Sequence, residues 1–581
     1  MKLLRTAAIV ASLIAAACTV PSWREAVPDG WPYALDATPV SAANGMVVST
    51  NRYASEVGVA VLEAGGNAVD AAVATAFALA VVNPEAGNIG GGGFMVIRLA
   101  DGASAALDFR ERAPGAASRD MYLDEAGELT DGSVAGHRAV GVPGSVAGLW
   151  EAHQRYGRTE WGDLLAPAIR LAEGFALTDR AARSLRHYAA ALADFSYTSA
   201  IFLRDGAPPA IGDTLVQADL ARTLRRIQEH GRDGFYTGET ARLIVDEMRR
   251  GGGIITAQDL SSYRPSWREP MEFTYRGYSI ISMPPSSSGG ITLALMARIL
   301  EGYELSRLPW HSPQMIHLLV EAWRRSYADR NEYLGDPDFV AIPTARLTSA
   351  AYGAERRAGI ALERATPSSA VAPGLGPYQP EENTTHFSVV DSADNAVSLT
   401  TTINSFYGIK AVVRGAGFFL NNEMDDFAAR PGTANMFGLV QGEANAIAPG
   451  KRMLSAMTPT MVLRPDGSLL LVLGSPGGAT IITNVFQNIM NVVDYGMNIV
   501  EAVHAPRLHH QHLPDRIDYE FGALQPATIA VLEAMGHSLN ERYDPESLYP
   551  YIGDVQAIMV LPDGTLEAVS DPRRGGAAVG F

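Results

Sequence analysis

Cysteine is almost missing from this chain: among 581 residues there is one, Cys18. An intrachain disulfide is therefore excluded, and the folded body has to rest on its core. Positive charge is also scarce. The 46 Lys and Arg face 63 Asp and Glu, for a net charge of −17, which leaves no basic face for a nucleic acid. Charged residues make up 19% and hydrophobic residues 47%, a balance that excludes a disordered chain and a protein of many membrane spans. Long apolar runs are missing at the N-terminus too: the run 7–17, behind Lys2 and Arg5, is too short for a stable span but suits a secretory signal.

That signal ends Ile14-Ala15-Ala16-Ala17-Cys18, similar to a bacterial lipobox. It predicts export to the bacterial envelope, with Cys18 lipidated as a membrane anchor; cleavage after Ala15-Ala16-Ala17 to a soluble periplasmic form is the rival. Residues 18–45 are rich in Pro, Ala and turn formers and read as a tether with little structure, so order is expected to begin near Met46.

What the chain does have is a stretch that looks like a hidden N-terminus, Asn383-Thr384-Thr385-His386-Phe387-Ser388-Val389-Val390-Asp391. In the following run, Ser398, Thr400, Thr402 and Asn404 share one face of a strand, and Val397, Leu399, Thr401 and Ile403 share the other. Asp391-Ser392-Ala393-Asp394-Asn395 between the runs is a cluster of turn formers. A hairpin symmetric about Ala393 sets Thr384 opposite Thr402. A cut before Thr384 then gives one residue both a hydroxyl nucleophile and an α-amino base, with a second hydroxyl facing them.

Elsewhere the pattern predicts helices over 52–64 and 68–82, the second apolar nearly all round, capped by Asn67 and buried. Gly90-Gly91-Gly92-Gly93 has neither a Gly-Lys-Ser/Thr ending nor a strand-to-helix context, so the glycines let backbones pass closely and hold no nucleotide. Two strands then deliver Asp108-Phe109-Arg110-Glu111. Residues 163–250 read as helical scaffold. The long helix 315–334 carries Glu321, Arg324, Arg325, Asp329 and Arg330, read as solvated or paired structural charges. Glu423, Asp425 and Asp426 have no histidine at ligand spacing and suit a cationic amine better than a metal. The loop 430–450 is long enough to serve as a lid. Ser475-Pro476-Gly477-Gly478 sits between an apolar strand and a helix, where free N–H groups suit an oxyanion; a plain strand-helix turn is the other reading. His504, His509, His510 and His512 lack a dedicated metal spacing and read as structural.

In combination, Asp108-Phe109-Arg110-Glu111, Thr384-Thr385-His386-Phe387-Ser388-Val389-Val390-Asp391, Leu420-Asn421-Asn422-Glu423-Met424-Asp425-Asp426-Phe427 and Gly474-Ser475-Pro476-Gly477-Gly478 closely resemble the γ-glutamyltransferase (glutathione hydrolase) family of self-cleaving N-terminal nucleophile hydrolases. The resemblance covers nearly all of the chain after about residue 44. It implies an α/β (α+β) fold, a four-layer αββα sandwich built from a large subunit, 46–383, and a small catalytic subunit, 384–581, that stay together as a heterodimer after cleavage at Asn383-Thr384. It further implies that Thr384 is the nucleophile with Thr402 as partner, that Gly477 and Gly478 form the oxyanion hole, that Arg110 and Ser455 take the substrate α-carboxylate, and that Asn404, Glu423 and Asp426 surround its α-amino group. The expected partners are glutathione and related γ-glutamyl donors with amine acceptors. No metal or other cofactor is expected.

Two positions depart from the family pattern. Ala456 follows Ser455 where paired serines are common, removing one hydrogen bond to the carboxylate at a cost of about 1.5 to 3 kcal/mol if nothing replaces it. Phe437 stands in the lid where many members have a tyrosine. Two alternatives stay in view: a glutaryl (cephalosporin) acylase of the same fold, which would need less recognition of an α-amino group, and a non-catalytic lipoprotein binding module.

Overall fold

The computed structural model describes residues 23–372, 384–542 and 548–581. The signal 1–17, Cys18 and Asn383 lie outside them. Two seven-stranded sheets form the centre. In one, Ala577–Gly580, Met46–Ser49, Thr385–Val390, Ala396–Thr402, Gly92–Arg98, Ser104–Asp108 and Ser266–Arg268 follow one another; in the other, Val40–Ala42, Leu566–Ser570, Gln556–Val560, Leu469–Gly474, Thr460–Leu463, Tyr278–Ser282 and Met271–Tyr275. Every pairing in these two sheets is antiparallel. Helices Arg52–Glu63 and Ala68–Val82 cover the outer face of the first sheet, and Gly289–Leu300, Thr480–Val493 and Ile499–His504 cover the second, which gives the αββα sandwich.

The side-chain alternation decides which faces meet. Phe387, Val389, Val397 and Leu399 point to the helix Ala68–Val82 and its core. Their neighbours point to the other sheet, where Val390 and Ala396 join a second apolar core and the serines make polar contacts. Ser398 donates to the carbonyl of Leu473 (3.1 Å) and accepts from the N–H of Thr460 (3.0 Å), while Ser388 donates to the carbonyl of Gln556 (3.1 Å). These bonds satisfy hydroxyls that would otherwise be costly to bury. The helix Ala68–Val82 is buried at every position, and its start is fixed by a capping box between Asn67 and Asp70, as such a sequence demands.

The glycine run does what its composition predicts. A Cβ at Gly91 would lie 2.0 Å from the carbonyl oxygen of Thr402, so only glycine lets these two strand ends meet. By contrast, residues 23–45 are not a loose tether. Val40–Ala42 is an edge strand on Leu566–Ser570, and the Trp31 indole N–H donates to the carbonyl of His504 (2.9 Å). The rings of Trp31 and Tyr33 pack on Tyr551 and under the guanidinium of Arg573. Their aromatic surface outweighs the turn-forming composition around it. Among the described residues no helix is long and apolar enough to cross a membrane.

Candidate active site

Thr385 pairs with Thr401 in the central hairpin, and Val390 with Ala396. The same register sets Thr384, the residue before the strand, across from Thr402. Both are buried, and both line one pocket together with Arg110, Asn404, Glu423, Asp426, Ser455 and Gly478. The Thr402 hydroxyl accepts the N–H of Asn404 (2.8 Å), and the Asn404 amide donates to the carbonyl of Asn422 (2.9 Å). Asn404 is held at φ +69°, a left-handed conformation that asparagine tolerates better than most residues. It ties the hairpin to the acidic segment Asn422 to Asp426.

Behind the hairpin, the His386 imidazole lies between the hydroxyls of Thr400 (2.9 Å) and Ser388 (3.1 Å). It fills the space over Gly474, where a Cβ would come within 2.4 Å of the ring. Burial pushes its pKa down to about 3, so the ring is a neutral strut.

Arg110 is fully buried at the end of strand Ser104–Asp108. Its backbone is fixed on both sides: its N–H reaches Asp108 (3.0 Å), and its carbonyl accepts the Tyr263 hydroxyl (2.7 Å). The guanidinium is ion-paired with Glu423 and Asp426, and with Glu111 at 3.3 Å. Burial raises the carboxyl pKa of Glu111, to about 7, and of Glu423 and Asp426. A buried guanidinium is thus held against three carboxyl groups at one side of the pocket.

Gly477 and Gly478 precede the helix Thr480–Val493 with φ of +133° and +50°. Gly478 lines the pocket, and Phe437 lies against it, since a Cβ there would meet the ring at 2.8 Å. Phe437 is buried, with its carbonyl accepting from the Gln511 amide (3.0 Å). Its loop is latched by Asp425, which accepts the N–H of Met436 (2.9 Å) and the hydroxyl of Ser133 (2.8 Å). Ser455 and Ala456 form the opposite wall, with the Ser455 hydroxyl accepting from the N–H of Met457 (3.1 Å).

Every expected pocket residue within the described chain except Gly477 lines this one pocket, and Gly477 is its immediate neighbour. The histidines do not. His509 bonds Thr483 and Gln511, His510 contacts Arg324 and Asp515, and His512 holds the carbonyls of Ser368 and Val371. Among the described residues no group of His, Cys, Asp or Glu is placed to hold a metal. The expectation that Arg330 is a solvated or paired structural charge is corrected: it lies on the helix Pro313–Tyr333, is buried, and lines the pocket. The polar spacing of that helix gave no sign of which charge faces inward.

A threonine concealed at the mouth of a central strand of an αββα sandwich, facing a second hydroxyl and a glycine turn, defines an N-terminal nucleophile hydrolase. The gamma-glutamyltranspeptidase family model matches residues 54–581, and the chain belongs to that family. It is 47% identical over 558 residues to a glutathione hydrolase proenzyme of Pseudomonas sp. (strain A14), covering 94% of this chain and 96% of that one. It is also 47% identical to the glutathione hydrolase proenzyme of Escherichia coli (strain K12), over 92% of this chain and 91% of that one. The crystal structure of cephalosporin acylase from Bacillus halodurans superposes with a TM-score of 0.82 at 28% identity, covering 95% of this chain and 99% of that chain.

Proposed function

We propose that this protein is a γ-glutamyltransferase and glutathione hydrolase that activates itself by cutting Asn383-Thr384. The Thr384 hydroxyl attacks the carbonyl of Asn383, the peptide nitrogen leaves as the α-amino group of Thr384, and water hydrolyses the ester. The freed Thr384 then attacks the γ-amide carbon of a donor, its α-amino group taking the hydroxyl proton. With an ordinary pKa of about 7.7 to 8.0, that amine is a competent base near neutrality. The N–H groups of Gly477 and Gly478 face the developing oxyanion. The amine portion of the donor leaves with the proton, and the γ-glutamyl ester passes to water or to an amino acid or peptide amine. Thr402 orients the nucleophile, Arg110 and Ser455 bind the α-carboxylate, and Asn404, Glu423 and Asp426 bind the α-amino group.

The observation that carries this reading is the convergence of Thr384, Arg110, Glu423 and Asp426 on one pocket. The same acids disfavour a glutaryl acylase, whose substrate has no α-amino group to neutralise them, and a buried unpaired acid is costly. The two products, 46–383 and 384–581 with whatever precedes them, form the heterodimer. Export, with an anchor at Cys18, completes the reading; a Cys18→Ala variant that stays in the membrane fraction would refute the anchor.

A denaturing gel with N-terminal sequencing and a γ-glutamyl anilide assay tests the rest. Two chains, the smaller beginning Thr384-Thr385-His386, are expected, with anilide turnover. Thr384→Ala should leave one inactive chain. A wild-type protein that stays intact and turns over no γ-glutamyl anilide overturns the proposal in favour of a binding module, and turnover of glutaryl amides alone favours the acylase.

A further inference from the structure

Arg330 is 2% exposed and lines the same pocket as Thr384 and Arg110. Its Nε donates to the Ser288 hydroxyl (3.0 Å), and its Nη1 to the side-chain oxygens of Asn331 (3.0 Å) and Gln441 (3.4 Å). Its Nη2 is buried without a hydrogen-bond partner among the described residues. The contrast with Arg110 is sharp, since Arg110 is paired to three carboxylates. No carboxylate lies within ion-pair distance of Arg330 among the described residues; Asp426 acts on it only through its field. Burial pushes its pKa down to about 10, so the guanidinium still carries its charge at neutral pH. A buried cation with an open donor is costly to keep unless something anionic meets it.

Its position says what that anion is. The Ser288 hydroxyl that accepts from Arg330 itself donates to the carbonyl of Ser455 (2.7 Å). One hydroxyl thus joins the guanidinium to the wall formed by Ser455 and Ala456. That wall is where the family pattern has a second serine hydroxyl and this chain has none.

We propose that Arg330 is a specificity-determining residue whose Nη2 donates to the α-carboxylate of the γ-glutamyl donor, in place of the hydroxyl absent at Ala456. The inference rests on the functional reading given above and deepens it. The carboxylate is held by two guanidinium groups on different elements, Arg110 from a strand end and Arg330 from a helix. With the substrate carboxylate competing for Arg110, Arg330 leaves Asp426 a second positive neighbour.

The test compares two donors, γ-glutamyl-p-nitroanilide and its analogue without the α-carboxylate, 4-aminobutyryl-p-nitroanilide. Arg330→Met should lower kcat/KM for the first by about ten- to a hundredfold, as loss of a charge-assisted hydrogen bond does, and leave the second within about twofold. Adding Ala456→Ser to Arg330→Met should recover part of the loss for the first donor only. Should Arg330→Met fail to cut itself, Arg330→Lys, which keeps the charge and loses the fork, gives the same comparison with a smaller effect. Equal losses for both donors, or no recovery with Ala456→Ser, assign Arg330 to scaffold and overturn the proposal. Wild-type turnover of the first donor is the separate check on the functional reading.

Discussion

The hydroxyl of Thr402 accepts the backbone N–H of Asn404 at 2.8 Å, so one side chain both faces Thr384 and fixes the residue that reaches the acidic segment. Thr402→Val keeps the shape and removes the acceptor, leaving a buried N–H unsatisfied at a cost of about 1 to 3 kcal/mol. Turnover of γ-glutamyl anilide should fall about tenfold or more, while Thr402→Ser stays near wild type. Steady-state kinetics and the fraction of self-cut protein measure both. Equal activity of the valine and serine variants contradicts the role.

Gly478 holds φ +50° with the Phe437 ring against it. Gly478→Ala introduces a strained backbone and a clash on the face proposed above to meet the oxyanion. Loss of one such donor lowers kcat by about 10² to 10³-fold. Kinetics should show that loss in kcat with KM changed little, and a defect confined to KM would argue that the turn is only a connector.

Asp425 joins Met436 of the loop 430–450 to Ser133. Asp425→Ala removes both bonds, so the loop carrying Phe437 should open more often. Limited proteolysis within residues 430–450 is expected to speed up by about tenfold, with hydrogen exchange at Met436 rising in parallel. Unchanged cleavage rates would show that the loop is held elsewhere.

His386 gives a prediction in pH. Its pKa is about 3 in the folded protein against about 6.5 in an unfolded chain. The unfolded chain therefore takes up a proton that the native state refuses. The destabilisation is absent above pH ~6.5, grows as pH falls toward 3 and levels off below that. Comparing His386→Gln with its parent, both in an uncut Thr384→Ala background, urea unfolding should give a parent stability that falls more steeply between pH 6 and 4. The difference should be about 1.4 kcal/mol per pH unit. Parallel curves would place the ring in water-accessible surroundings.

The sequence carried the hairpin because a strand repeats every two residues: the alternation of Ser398, Thr400 and Thr402 with Val397, Leu399 and Thr401 sets both the faces and the register. The cap at Asn67 and the glycine turn at 477–478 were legible for the same reason, as each is written in adjacent residues. Arg330 was not. It sits in a helix whose charges recur at spacings that suit local pairing, and Glu321 does pair with Arg324 and Arg325. Nothing local distinguishes the arginine that turns into the pocket. Residues 23–45 escaped for a related reason, since the contacts of Trp31 and Tyr33 are to Tyr551 and Arg573, at the far end of the chain.

In the sheet that carries Thr384, the strand Thr385–Val390 is flanked by Met46–Ser49, and Ala396–Thr402 by Gly92–Arg98. In the other sheet, Thr460–Leu463 pairs with Tyr278–Ser282, and Leu566–Ser570 with Val40–Ala42. A break before Thr384 therefore divides the polypeptide without dividing the architecture. Neither piece owns a complete sheet, and each supplies strands that the other needs as neighbours. On the proposed cut, the uncut precursor would act as its own intramolecular chaperone, bringing the pieces together at the high effective concentration of a single chain. Halves made separately would each begin with unsatisfied strand edges open to aggregation.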